Sequence, residues 1–319
     1  DSVLNRHRVF LRKAQFQFGW DFSPRLAGCG IWQGVRLEAV NLNRLADVHV
    51  RTLNCSDDRA DIKLEVSLDR PARRKLHCQC RVSCGGQRLE HNFTFARQEK
   101  SHAAVLHIKD PKLWWPAGYG CQHLYKLKTT LTAGEKVIDS RSLTFGIRTI
   151  DLDLDTEKTV FRFIVNGRPI HARGANWLTP TVFIGSAGPD QYKNLLYTAR
   201  RASFNMLRIW GGAIYEIDYL YELCDRLGIL LWQDFPFACA VYPENKWFLD
   251  KITTEAQANI IRLRNHPSLA LWCGNNEIDW MHDRGQLGPA RKFSGRKIFR
   301  KILPRLLEHL DPDRPYIPT

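Results

Sequence analysis

The hydrophobic rhythm of this chain changes once, near residue 150, and that change limits the fold more than any other feature. Before it, short segments alternate apolar and polar residues with a period of two: 35–40, 48–53, 62–68, Leu76–Cys84, 91–96, 103–108, 124–131 and 143–150. Such alternation marks strands buried on one face. Turn signals such as Gly85-Gly86 and Ala133-Gly134 separate several of them, at the spacing of an all-β sandwich. No amphipathic helix interrupts the series, which predicts an immunoglobulin-like β-sandwich over 41–150.

After residue 150 the apolar runs become nearly continuous, as parallel strands buried on both faces must be. Four are predicted, at 170–177, 204–210, 229–234 and 268–274, each followed by a helical pattern. The first helix carries Tyr192, Leu195, Leu196, Ala199 and Ala202 on one stripe. The second carries Ile217, Leu220, Cys224 and Leu227 and stops at Gly228, and the third carries Ile252, Ala256, Ile260 and Leu263. Four βα units in succession belong to an open doubly wound sheet or to half of an eight-fold barrel. The first strand ends in Gly174-Ala175-Asn176-Trp177, with no G-x-G-x-x-G phosphate loop. The strand ends instead carry polar and aromatic groups: Asn176 and Trp177, Arg208 and Trp210, Trp232 and Asp234, then Asn275, Asn276 and Glu277. A barrel gathers such ends on one face, so 151–319 reads as the first half of a (β/α)8 TIM barrel.

The net charge of +14 raises the question of nucleic acid. The excess lies mostly in the middle of the chain, because 151–319 holds 22 basic against 19 acidic residues. Seven of those basic residues crowd 291–305, where Phe299, Ile302, Leu303, Leu306 and Leu310 would form the buried side of a helix. A solvated helix face accounts for that cluster, and no nucleic-acid partner is expected. No run reaches the 18 apolar residues of a membrane span, so no membrane partner is expected either. Nine cysteines, an odd number scattered through a long chain, argue against a complete disulfide framework and favour a cytoplasmic location, with lysosome and periplasm left open. Cys78, Cys80 and Cys84 fall on one face of a strand and read as small core residues rather than metal ligands.

Glu277 is the candidate for chemistry. It follows an apolar strand and the turn Gly274-Asn275-Asn276, so it should project into the mouth of a barrel among Trp side chains. Apolar neighbours raise a carboxyl pKa toward the range a general acid needs, and Asn276 can donate to a hydroxyl. A solvated Glu after an ordinary Gly-Asn-Asn turn is the equal alternative on residue chemistry alone.

Longer motifs decide further. Leu207-Arg208-Ile209-Trp210-Gly211-Gly212-Ala213-Ile214-Tyr215-Glu216, Leu231-Trp232-Gln233-Asp234-Phe235 and Trp272-Cys273-Gly274-Asn275-Asn276-Glu277 closely resemble the β-mannosidases of glycoside hydrolase family 2. Phe18-Gly19-Trp20-Asp21-Phe22-Ser23-Pro24-Arg25 is similar to their first-domain motif, with Phe22 where a second Trp is usual and Ser23 where Gly is usual. Leu113-Trp114-Trp115-Pro116-Ala117-Gly118-Tyr119-Gly120 is similar to the sandwich-domain signature.

The resemblance implies an exo-acting retaining hydrolase of terminal β-D-mannose, acting on β-mannosides with no cofactor and no metal. It makes Glu277 the general acid/base and gives Asn276 a contact to the 2-hydroxyl. Trp177 would shape the terminal-sugar subsite, and Trp20 and Asp21 would reach it from the first domain. Arg208 and Asp234 match strand-end polar residues, either as sugar contacts or as a buried pair holding the barrel together. Trp210 and Trp232 are either core or platform. Residues 1–40 would then be the end of a jelly-roll β-domain. The nucleophile, a Glu on a later strand, is not expected in this chain, which reads as a fragment. A family member acting on glucosamine or galactose, and a non-catalytic carbohydrate-binding relic, are the alternatives.

Overall fold

The computed structural model describes residues 8–40, 42–155, 157–287 and 295–319. The chain opens with a small hairpin, β1 (Phe18–Trp20) and β2 (Ser23–Arg25), whose two-residue turn is Asp21-Phe22. The alternating segments then form two antiparallel sheets. One contains β3 (Leu45–Cys55), β4 (Arg59–Leu68) and β7 (Ser101–Lys109), in the order β3-β4-β7. The other contains β5 (Leu76–Cys84), β6 (Gln87–Phe95), β8 (Tyr125–Ala133) and β9 (Lys136–Phe145), in the order β6-β5-β8-β9.

Their inner faces share one core, in which Val48, Ile62 and Leu64 meet Leu76, Cys80, Leu127 and Phe145. In β5 every second residue is buried, and those residues are Leu76, Cys78, Cys80, Val82 and Cys84. The thiols there fill space in an apolar interior. Residues 35–40, expected as a strand, are exposed and form none. Alternation records a face, but a strand also needs a neighbour to take its hydrogen bonds.

A three-stranded antiparallel sheet of β10 (Ile150–Asp155), β11 (Val160–Val165) and β12 (Arg168–Ile170) leads into the parallel part. There β13 (Gly174–Trp177), β14 (Met206–Ile209), β15 (Leu230–Asp234), β16 (Leu269–Cys273) and β17 (Tyr316–Ile317) pair in chain order, every pair parallel. The run expected as one strand at 170–177 is therefore two, β12 and β13, in different sheets.

Helices α1 (Pro189–Arg201), α2 (Asp218–Leu227) and α3 (Lys246–Leu263) cross between the strands. Pro189 starts α1, where its missing N–H costs nothing. Gly228 ends α2 at φ 71°, a left-handed conformation glycine adopts freely. The Asn245 side chain caps α3 by accepting from the Phe248 amide at 2.9 Å. After β16 comes a short α4 (Ile278–Asp283), and α5 (Leu303–Leu310) precedes β17. The expected basic helix is in part a π turn over Ile298–Ile302 followed by α5, with Ile298, Phe299, Leu303 and Leu307 buried. Arg291 and Lys292 lie outside the described residues.

The sandwich grips the amino ends of the parallel strands. Arg148 donates to the carbonyls of Pro267 (3.0 Å) and Leu269 (2.6 Å), and Asn265 exchanges hydrogen bonds with the backbone of Val48 and Val50. The opening segment grips the other end, where Phe16 N donates to Gly212 O (3.2 Å) and Arg12 pairs bidentately with Glu255. The carboxyl ends of β14, β15 and β16 therefore lie beside the hairpin β1–β2.

Candidate active site

Register decides which strand-end side chains share a face. Asn176, Arg208 and Trp232 are paired positions on β13, β14 and β15, and side chains two apart return to the same side. Arg208 and Asp234 meet there in a fork: Nε to Oδ1 at 3.1 Å and Nη2 to Oδ2 at 2.7 Å. Asp234 is 1% exposed and also accepts from Gly211 N (2.9 Å) and Trp232 Nε1 (2.9 Å). Burial opposes the charge on Arg208, and the Asp234 carboxylate outweighs it, holding the guanidinium firmly protonated. Arg208 lies over the Trp232 ring at 5.2 Å, so Trp232 closes this cluster rather than standing apart as a platform.

The same guanidinium reaches onward to Asn276 Oδ1 at 3.1 Å. Around it the Gly274-Asn275-Asn276 turn is fixed from several sides. Asn275 accepts from Ile278 N (2.9 Å) and donates to Pro318 O (2.7 Å), while Asn276 N donates to Phe237 O (2.9 Å). Gly274 has no room for a side chain, since a Cβ would sit 2.5 Å from Pro318 O. These restraints leave Glu277 in the left-handed region at φ 61°, a strained conformation for a residue with a Cβ. Among the described residues Glu277 is exposed, where an enclosed apolar setting is expected, and its Oε2 accepts from the Cys239 thiol at 3.3 Å.

Trp177 is also placed differently from expectation. Its indole is 8% exposed, stacked at 6.0 Å on Tyr192 of α1, and packed in the core between strands and helices. Trp177 Nε1 donates to Glu216 Oε1 (2.9 Å), and Tyr192 OH donates to Oε2 (2.6 Å). Glu216 is fully buried, and burial raises its pKa against the pull of those two donors. It was not singled out from sequence, because both of its donors are more than 20 residues away.

The aromatic side chains brought to the open end are Trp20 and Trp210. Trp20 meets Trp210 edge-on at 5.0 Å, and Phe22 meets it at 5.7 Å. Trp210 shares a cluster with Phe16, Ala238 and Cys239, against which Trp20 and Met281 pack. Gly212 lies under the Trp210 ring, where a Cβ would come within 2.0 Å of it. Asp21, at the hairpin turn, is exposed. The structure thus joins Arg208, Asp234, Asn276 and Glu277 in one network that runs through Cys239, sets Trp20 beside Trp210, and turns Trp177 away into the core. Among the described residues no cluster of His, Cys, Asp and Glu has the form of a metal site.

Comparison with known proteins places this arrangement. Residues 43–148 match the family described as glycosyl hydrolases family 2, and residues 3–33 match its galactose-binding domain-like model. A solved β-D-mannosidase from Dictyoglomus thermophilum is 42% identical with a TM-score of 0.92, over 98% of this chain and 39% of its own. Beta-mannosidase B of Thermothelomyces thermophilus is 34% identical over 98% of this chain, and β-mannosidase of Capra hircus is 34% identical over 85%. The chain spans 38% and 32% of the lengths of these two relatives. By these matches the 319 residues carry a domain of glycosyl hydrolases family 2 and resemble part of the β-mannosidases along nearly their whole length.

Proposed function

We propose that these residues form the acid/base half of a retaining, exo-acting β-mannosidase. The observation that carries the reading is Glu277: an exposed carboxylate held in a left-handed turn at the end of β16, directly after an asparagine tied to a buried Arg–Asp pair. A general acid must reach the leaving oxygen, and an exposed, fixed carboxyl does so without a conformational search. Asn276 is assigned to the 2-hydroxyl of the sugar. Trp20, Trp210 and Asp21 border the terminal-sugar subsite, with Asp21 accepting hydroxyls and restricting the site to chain ends. Arg208 and Asp234 hold Asn276 rather than the sugar, and Trp177 is left out of the sugar contacts.

Retaining chemistry needs a second carboxylate about 5–5.5 Å from the first. The reading assigns that nucleophile to the part of the relatives' length that these residues do not span. The strand order β13 to β17 supports the first half of a (β/α)8 barrel over 151–319, and the two-sheet order supports an immunoglobulin-like sandwich over 41–150, with 1–40 closing a jelly-roll domain. The substrates would be β-mannosides and no cofactor would be needed.

The test is hydrolysis of aryl β-mannoside, β-glucoside, β-galactoside and β-glucosaminide by full-length protein. Preference for the mannoside by ten-fold or more is expected, and an equal or greater rate on another epimer overturns the assignment.

A further inference from the structure

The thiol of Cys239 touches the carboxylate proposed as acid/base, and nothing in that chemistry yet uses it. We propose that Cys239 is a positioning residue for Glu277: its S–H donates to Oε2 and so fixes the other oxygen, Oε1, toward the leaving group. This rests on Glu277 being the acid/base.

The geometry selects this partner. Cys239 Sγ lies 3.3 Å from Glu277 Oε2 and 4.0 Å from the alternative acceptor, Asn276 O. Asn276 Nδ2 approaches the same sulfur at 3.5 Å, so the thiol accepts from Asn276 while it donates to Glu277. The thiol thereby extends the line Asp234–Arg208–Asn276 by two members and ends it on the carboxylate.

The loop that carries Cys239 is built to hold it there. Cys239 has φ 43°, a left-handed conformation unusual for a cysteine. Such strain persists only where the surroundings over-determine it. Here Arg8 donates to Cys239 O (2.8 Å) and to Ala238 O (3.3 Å), Tyr242 OH accepts from Ala238 N (3.0 Å), and Cys239 N donates to Asn276 O (3.2 Å). Ala238 and Asn276 form a parallel bridge that ties the two loops together. Cys239 is 4% exposed and Glu277 is exposed, so the thiol supports the carboxylate from the protein side. Burial, and then the charge of Glu277, push the thiol up to about 12, so the sulfur keeps its proton at neutral pH and remains a donor.

Two readouts in full-length protein test this. First, the infrared S–H stretch of Cys239, assigned by difference against Cys239→Ala, should move to higher frequency in Glu277→Gln, because a neutral amide oxygen is a weaker acceptor than a carboxylate oxygen. An unchanged frequency shows that the thiol does not donate to this side chain and overturns the proposal whatever Glu277 does in catalysis.

Second, Cys239→Ala should lower kcat about ten-fold or more on mannosides with poor leaving groups and less than three-fold on activated aryl mannosides. Cys239→Ser, which keeps a donor, should recover most of the loss. If Glu277→Gln shows this leaving-group dependence while Cys239→Ala slows both classes alike, the positioning role fails and the acid assignment stands. If Glu277→Gln itself shows none, the acid assignment fails, and the S–H frequency alone decides whether the contact exists.

Discussion

The ends of β15 and β16 lie side by side and each carries a carboxylate, yet the two have been given opposite surroundings. Asp234 is buried and accepts hydrogen bonds from Arg208, Gly211 and Trp232, with its oxygens fully committed. Glu277 is exposed and, among the described residues, accepts from one weakly donating thiol. Burial raises the Asp234 pKa against the pull of those donors. A carboxylate whose oxygens are all taken has none left for a ligand, whereas one held by a single weak donor can offer its other oxygen to a leaving group. The contrast teaches that one network does both jobs, since Asp234 orients Arg208, Arg208 orients Asn276, and Asn276 leads into the turn that presents Glu277.

The comparison breaks most visibly at Arg208. Arg208→Leu leaves the Asp234 carboxylate buried without its charge partner, and about 3–5 kcal/mol of stability should be lost in a denaturant melt. A midpoint unchanged from wild type would mean that the pair builds nothing.

Glu216 is a second buried carboxylate and sharpens the point. Glu216→Ala strands the Trp177 and Tyr192 donors and should cost about 2–4 kcal/mol by the same melt. Its pH behaviour has a definite sign. Because burial raises its pKa in the folded state, the carboxyl favours folding most below its unfolded pKa of about 4.3, and that contribution is lost as pH rises through the folded value. The stability gap between wild type and Glu216→Gln should therefore shrink from pH 4 to pH 8, and a widening gap would reverse the assignment. The smallest effect is expected at the exposed site: Glu277→Gln should move stability by less than about 0.5 kcal/mol. A loss as large as that of Arg208→Leu would place Glu277 in the structural network instead.

Much of this was legible in the chain because burial leaves a period. The strand β5 announces its buried face by alternation, and β16, with all five residues buried, announces its own by continuity. The Arg208–Asp234 pair was foreseen as one of two readings, because strand ends in a parallel sheet converge. Trp177, Glu216 and Cys239 were harder for one shared reason. Whether Trp177 faces the open end or the helices depends on one residue of register, and the partner that fixes it is a carboxylate 39 positions later. Cys239 acquires meaning only when its loop bridges to Asn276, 37 positions away. Residues 35–40 show the reverse error, a clear period with no strand.

The leaving-group dependence of Glu277→Gln tests the division between the two strand ends most directly. Across aryl β-mannosides of increasing leaving-group pKa, kcat of full-length Glu277→Gln should fall progressively further below wild type, with activated substrates least affected, because only poor leaving groups need the proton. Equal losses across the whole series would contradict the account and return Glu277 to an ordinary solvated turn.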